Sequence, residues 1–201
     1  MKQLLCACVF VVGCGSSNNS PNPSPDAASH SPDAMAIPLT NAVVGTVAGD
    51  SYVIQDAVSF ADHSTDGTAL IIMSTMPGIC DRLAADTIDA NERFVTITMS
   101  NSTQTSSSPP TSPGTFTVST MSSANFGGVS TDVFDATCTH VDADSVDATS
   151  GTVQLDSVAG NVFTGTFDVS FSVTGDHITG SFSPTSCPNL VTVPTSPSAC
   201  M

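Results

Sequence analysis

From about Thr40 onward, apolar and polar residues alternate with a period of two, the pattern of β-strands that have one buried and one wet face. The clearest case is the segment 167–173, in which Phe and Val alternate with Asp and Ser. A short Gly-containing loop separates it from the similar run Ile178–Phe182, and the segment 152–163 precedes it. This pattern predicts a three-stranded antiparallel meander over Gly151–Ser183.

The earlier half of the region is less regular, and it predicts six more strands and one short helical turn. The turn is predicted over Ile79–Asp86, because Cys80, Leu83 and Ala84 recur at three- and four-residue spacing. A Ser/Thr/Pro-rich loop is predicted over Asn101–Pro113. The predicted strands are Val43–Ala48, Tyr52–Phe60, Thr68–Ser74, Arg93–Ser100, Gly114–Thr120 and Ser130–Ala136.

Short strands at short intervals are typical of an all-β protein rather than of βαβ units. We therefore predict an antiparallel β-sandwich or a small β-barrel of about 8–9 strands with one short helical turn. The globular domain is placed at residues 40–187, which is long enough to bury roughly 70% of its unfolded-chain surface in one core. A Pro-rich C-terminal tail over 188–201 follows it.

The net charge of the chain limits the classes of partner that it can bind. Among 201 residues there are 3 Lys and Arg against 18 Asp and Glu, which gives a formal net charge of −15. A chain with no basic patch releases few counterions from phosphates, so nucleic-acid binding is excluded. The same negative charge repels anionic lipid headgroups and polyanions, which favours a partner that is neutral, cationic or a metal ion.

The N-terminus predicts an export signal over residues 1–13. It carries one cation, Lys2, followed by an apolar run over Leu4–Val12 and a small residue, Gly13. Nine residues rise only about 13 Å as a helix, which is too short to span a hydrocarbon core of about 30 Å. The segment is therefore read as a signal peptide and not as a membrane-spanning helix.

The sequence Val11-Val12-Gly13-Cys14 resembles the lipobox of bacterial lipoproteins, with Val11 where that family prefers Leu. The resemblance implies that the Cys14 thiol carries a diacylglycerol and that cleavage makes Cys14 the first mature residue. Residues 14–39 would then form the lipidated cysteine and a flexible tether rich in Ser, Pro and Asn. The alternative is an ordinary secreted protein in which Cys14 merely lies near the cleavage site.

Four of the seven cysteines remain once the signal and the lipidation position are set aside. An even number in an exported domain favours two disulfides, for which three connectivities are possible. We favour Cys80–Cys138 together with Cys187–Cys200, because the second bridge would hold the Pro-rich tail. A zinc site is the alternative: Cys138 and His140 stand two residues apart, so they would share one face of a strand, with Cys80 or His63 completing the set.

The best candidate ion site is the run of alternating carboxylates Asp142, Asp144 and Asp147. Such a loop can present several oxygens to calcium at about 2.4 Å. The spacing departs from the EF-hand loop, because the third aspartate stands where that loop needs Gly, and no Glu closes it. A solvated loop between strands is the alternative, and no other cofactor is expected.

Motifs for catalysis are few. Gly49-Asp50-Ser51 resembles the GDS-type lipases and esterases, in which that Ser is the nucleophile, but neither an Asp-x-x-His block nor a GxSxG elbow accompanies it. A hairpin turn explains these residues better. Paired carboxylates for glycoside hydrolysis are not excluded by spacing, yet the chain has no Trp and one Tyr for a sugar-binding platform. We assign no catalytic residue.

As a whole, the chain is similar to small predicted lipoproteins of unknown function from myxobacteria and their relatives. The features it shares are the lipobox at Cys14, the tether, the turn over Cys80–Asp86 and the closing meander over Ser150–Cys187. The resemblance implies an all-β fold and a location in the cell envelope, at the outer membrane or cell surface. Gly15, rather than Asp, follows the cysteine, which in lipoproteins of enteric type implies passage to the outer membrane.

Three functions are therefore considered. The first is a non-enzymatic, lipid-anchored envelope protein with a binding or surface-structural role, attached to the membrane through its lipid. The second is a barrel-type binder of small ligands with an apolar cavity between its sheets. The third is a hydrolase, which would show a cleft with convergent ionisable side chains.

Overall fold

The structure, a computed structural model, describes residues 40–64, 67–102, 106–119, 124–172, 175–188, 193 and 196–201. The predicted signal peptide and tether, Cys14 included, lie outside these ranges. The described part contains thirteen strands and one helix. In chain order they are β1 (Ala42–Thr46), β2 (Asp56–Ala61), β3 (Ala69–Ser74), α1 (Ile79–Ala84), β4 (Thr87–Ile88), β5 (Arg93–Ser102), β6 (Ser107–Ser108), β7 (Gly114–Val118), β8 (Asn125–Val133), β9 (Ala148–Ala159), β10 (Val162–Phe171), β11 (His177–Phe182), β12 (Thr185–Ser186) and β13 (Ala199–Cys200).

One large curled sheet, a half-barrel, dominates the fold. Its strands follow the order β1-β11-β10-β9-β7-β8-β5-β3-β2-β12, and β6 adds to β5 at the side. Most neighbours are antiparallel, but β7 with β8 and β12 with β2 are parallel. The strands β4 and β13 form a second, two-stranded parallel sheet. The prediction of an all-β protein is confirmed, while a purely antiparallel arrangement is not.

The predicted number of strands is wrong, because the structure contains four additional strands, which are its shortest. Strands β4, β6, β12 and β13 have two residues each. Two residues are too few to display an alternating pattern, so nothing in the sequence marks them. The other nine overlap the predicted strands, although β2 begins at Asp56 rather than at Tyr52, and β8 covers Asn125–Val133 rather than Ser130–Ala136. The closing meander of β9, β10 and β11 is antiparallel, as predicted.

The concave face of the large sheet holds the main core. Alternate residues of β2, β3, β5 and β7 to β11 point into it, and five of the ten phenylalanines lie there. Two glycines make room for their rings: a Cβ at Gly180 would collide with the Phe167 ring, and a Cβ at Gly165 with that of Phe182. The five phenylalanines of this face are Phe116, Phe163, Phe167, Phe171 and Phe182.

A second core lies on the opposite face of β2, β3 and β5, where α1 and β4 cover the sheet. Ile79 from α1 and Ile88 from β4 are completely buried there, and the Phe94 and Phe134 rings meet edge to face at 5.9 Å. Helix α1 ends two residues before the predicted limit, because Asp86 has a left-handed φ of 54°. In the part of the chain that the structure describes, no helix has the length and apolar character needed to cross a membrane.

Two disulfides join this second core, and their pairing differs from the one we favoured. Cys80 is bonded to Cys187, with Cα atoms 5.7 Å apart, and Cys138 to Cys200, with Cα atoms 5.6 Å apart. The first pairing arises because β12 lies beside β2, which brings Cys187 next to α1. The second arises because the predicted tail contains β13, which pairs with β4. Both pairings therefore depend on a strand of only two residues, β12 in the first case and β13 in the second.

Candidate functional site

Polar side chains gather in two places on the outer surface. The first is the histidine cluster, which consists of Asp132 on β8 and His140 and Asp142 in the connection from β8 to β9. The second, the outer groove, lies on the convex face of β1, β11, β10 and β9. At each of them polar side chains line a cavity.

The side chains of the histidine cluster form hydrogen bonds with one another. Nδ1 of His140 lies 2.8 Å from Oδ1 of Asp142, and Nε2 lies 3.2 Å from Oδ1 of Asp132. The imidazole also packs edge-on against the Phe134 ring, at 5.2 Å between centroids. A cavity of about 190 Å³ borders the cluster. Both ring nitrogens of His140 therefore already have hydrogen-bonding partners within the cluster.

The three aspartates proposed for calcium have separate roles. Only Asp142 belongs to the histidine cluster. The backbone N–H of Asp144 donates to the carbonyl of Val141 and forms a turn, whereas Asp147 forms an isolated β-bridge with Ser130. Among the described residues, no three His, Cys, Asp or Glu side chains are placed to hold a metal ion. The loop has the structure of a connection between strands.

The zinc alternative is wrong, because Cys138 and Cys80 are both used in disulfides. The argument that Cys138 and His140 share a strand face also fails, since Cys138 has a left-handed φ of 57° and lies in a turn. His63 is exposed, beside a turn in which the Asp62 carboxylate accepts hydrogen bonds from the N–H and hydroxyl of Ser64. These bonds lower the pKa of Asp62.

The lipase-like residues form a hairpin turn, as the sequence suggested. Val47 and Asp50 exchange two backbone hydrogen bonds around Ala48 and Gly49, both of which have positive φ angles. The Asp50 carboxylate accepts a hydrogen bond of 2.7 Å from the Arg93 guanidinium. Asp50 is therefore a structural ion-pair partner.

A buried ion-pair network around Arg82 was not predicted. Its guanidinium donates two hydrogen bonds to the fully buried Glu92 carboxylate, at 2.5 and 2.7 Å, and one of 2.5 Å to Asp89. The hydroxyl of Ser74 donates to Glu92 at 2.5 Å, which links the network to β3. The sequence holds one clue to this network, because Arg82 and Arg93 are its only Lys or Arg residues beyond Lys2. In the structure both arginines are paired with carboxylates.

Tyr52 is 3% exposed in the main core, and its hydroxyl is buried without a hydrogen-bond partner among the described residues. Burial raises the pKa of Tyr52 to about 12, although the nearby Thr131 hydroxyl lowers it somewhat. In the unfolded chain this side chain titrates near pH 10, so between pH 10 and 12 the unfolded state loses its proton before the folded state does. The stability that the neutral tyrosine adds is therefore complete below pH 10 and is lost as the pH rises towards 12.

Since Tyr52 is the only tyrosine and the chain has no Trp, we expect phenolate absorbance to follow this residue alone. The folded protein should titrate near pH 12, and the protein in denaturant near pH 10. Between these two pH values the free energy of unfolding of the wild type should fall by on the order of 2–3 kcal/mol. In Tyr52→Phe this fall should be absent, because Phe does not titrate. A folded protein that titrates near pH 10 would contradict the burial of this hydroxyl.

The outer groove is built from a grid of side chains that the strand register defines. One row across the strands contains Gln154, Thr166 and Ser181, and the next contains Thr152, Asp168 and Thr179. Neighbouring strands lie about 4.8 Å apart, and successive outward residues about 6.8 Å. At the edge strand β1, the first row ends with Ala42 and the second row with Val44. The cavity lined by these residues has a volume of about 400 Å³.

Comparison with known proteins adds no family to this description. No protein-family model matches the chain, and no match was found among curated proteins or solved structures. The arguments on function that follow therefore rest on the residues and their geometry.

Proposed function

We propose that this protein is a lipid-anchored cell-envelope protein whose β domain is a non-enzymatic binding module. In this proposal Cys14 carries the lipid, residues 15–39 form the tether, and the described domain is held away from the membrane. Two disulfides support an exported location, because such bonds persist in oxidising compartments. The outer membrane or cell surface is the location that the residue after Cys14 favours.

The observation that carries a binding role is the contrast between the two polar sites. In the histidine cluster each ring nitrogen already faces a carboxylate of the same cluster. In the outer groove, the hydroxyls of Thr152, Thr166 and Thr179 make no hydrogen bond with another group of the described chain. A site whose hydroxyl groups are unused within the chain is suited to holding a ligand by hydrogen bonds.

The other two functions find less support. A barrel-type binder would need an apolar cavity on the concave face, where the rings of Phe116, Phe163, Phe167 and Phe182 are packed with at most 3% exposure. A hydrolase built on the histidine cluster would have to release His140 from its two carboxylates before the imidazole could act. Both considerations favour an outer binding surface.

The anchor is tested by labelling with a radioactive fatty acid in a bacterium that makes lipoproteins. We expect the wild-type chain to be labelled and Cys14→Ala to be unlabelled, because the labelled fatty acids arrive on the diacylglycerol that the lipobox cysteine receives. Cys6→Ala is the matched control, since it removes a cysteine from the apolar run and should leave the label unchanged. A wild-type chain without label would refute the lipid anchor.

A further inference from the structure

We propose that the outer groove binds a strand of neutral polysaccharide, which is held by the grid of hydroxyl and amide groups on β9, β10 and β11. This inference rests on the proposed binding function and names its ligand class. The groove's volume of about 400 Å³ falls within the range usual for ligand sites, about 300–1,000 Å³. Its place at the edge strand β1 would let a long chain continue beyond the sheet.

The hydrogen-bonding groups of the groove specify a ligand that both donates and accepts. A Thr hydroxyl supplies one donor and two acceptor lone pairs, so three unpaired threonines offer both kinds of group. Gln154 uses its amide oxygen to accept from the hydroxyl of Thr115 at 2.6 Å, which leaves its amide N–H groups for the ligand. Sugar hydroxyls, which also donate and accept, match this set.

The charges of the groove favour a neutral ligand. Its one carboxylate, Asp168, is 2.7 Å from Nε2 of His177 and is 69% exposed, so it can still accept from a sugar hydroxyl. Such a charge-assisted O–H···O⁻ bond is about twice as strong as a neutral one. The formal charge of −15 repels an anionic glycan, and no Lys or Arg lines the groove to counter it.

An apolar rim replaces the aromatic platform that the composition lacks. Val44 on β1 is 68% exposed, and Ala42 lies beside it on the same outer face. The C–H faces of a pyranose ring are apolar and need such a surface to leave water. In this arrangement the sugar ring lies against Val44 while its hydroxyls reach the first polar strand, β11, at Thr179 and Ser181.

The proposal is tested by affinity electrophoresis of the full chain, purified from membranes in neutral detergent, through gels containing dextran, laminarin or xylan. A gel with polygalacturonate supplies the anionic comparison. We expect retardation by at least one neutral polysaccharide and none by polygalacturonate. Thr166→Val with Thr179→Val should weaken the binding about tenfold, because two hydrogen bonds to the ligand are lost.

Thr117→Val is the matched control, since Thr117 lies on the same outer face but outside the groove. It should bind like the wild type. The proposal is overturned if no neutral polysaccharide retards the wild type, or if Thr117→Val weakens binding as much as the double variant. Fatty-acid labelling at Cys14 is measured on the same samples, so that labelled protein without retardation refutes the glycan proposal alone and leaves the anchor standing.

Discussion

Replacing Glu92 by Gln is expected to lower the free energy of unfolding by about 3–5 kcal/mol, because it removes one partner of a buried ion pair. Glu92 is fully buried and accepts hydrogen bonds from Arg82, from Ser74 and from the backbone N–H of Asp89. Without its charge, the Arg82 guanidinium keeps only the Asp89 carboxylate, which is partly exposed. Chemical denaturation at neutral pH measures the loss.

Asp50→Asn is the matched control for this experiment, since it also turns an acid into its amide beside an arginine. Its partner Arg93 is about a third exposed, so the loss should be about 0–1 kcal/mol. Arg82→Met combined with Glu92→Gln should recover part of the loss, because no unpaired charge then remains buried. If Glu92→Gln cost no more than Asp50→Asn, the buried network would not stabilise the fold.

Removing the bridge between Cys80 and Cys187 by double replacement with Ala is expected to cost about 5 kcal/mol. The bridge spans 107 residues, and the loss of chain entropy on closing such a loop corresponds to about 4.8 kcal/mol in the unfolded state. Cys187 is also fully buried in the second core, so its truncation leaves a cavity beside α1. Denaturation of the oxidised protein provides the measurement.

The second bridge serves as the comparison. Cys138–Cys200 spans 62 residues and ends at the exposed Cys200, so its double replacement should cost about 4 kcal/mol. Mass spectrometry of unreduced digests gives the pairing directly. A peptide that joined Cys80 to Cys138 would contradict the fold around β12 and β13.

Much of the fold could be predicted, because local alternation records which side of a strand is buried. Alternation predicts the meander over β9, β10 and β11, and apolar residues three and four positions apart predict the helical turn α1. The two-residue strands could not be, since they form only when distant segments supply their partners. For the same reason the favoured disulfides were wrong: β12 and β13 decide which cysteines meet.

The candidate sites divide in a similar way. The sequence drew attention to Asp142, Asp144 and Asp147 because they alternate, but spacing along a chain does not show where carboxylates point, and only Asp142 joins His140. The outer groove was missed because Ser and Thr were interpreted as the wet faces of strands. That interpretation was correct for each strand separately, and it gave no sign that the rows of several strands line one cavity.

By itself, the sequence determined the all-β character of this protein, the approximate positions of its nine longer strands and of its helical turn, and the acidity of its surface, because each follows from neighbouring residues or from composition. The tertiary structure decided the curl of the large sheet, the partners of the four cysteines, the burial of the Arg82 network and the rows of hydroxyls that face one groove. These features join residues far apart in the chain, and strand register and packing alone bring them together.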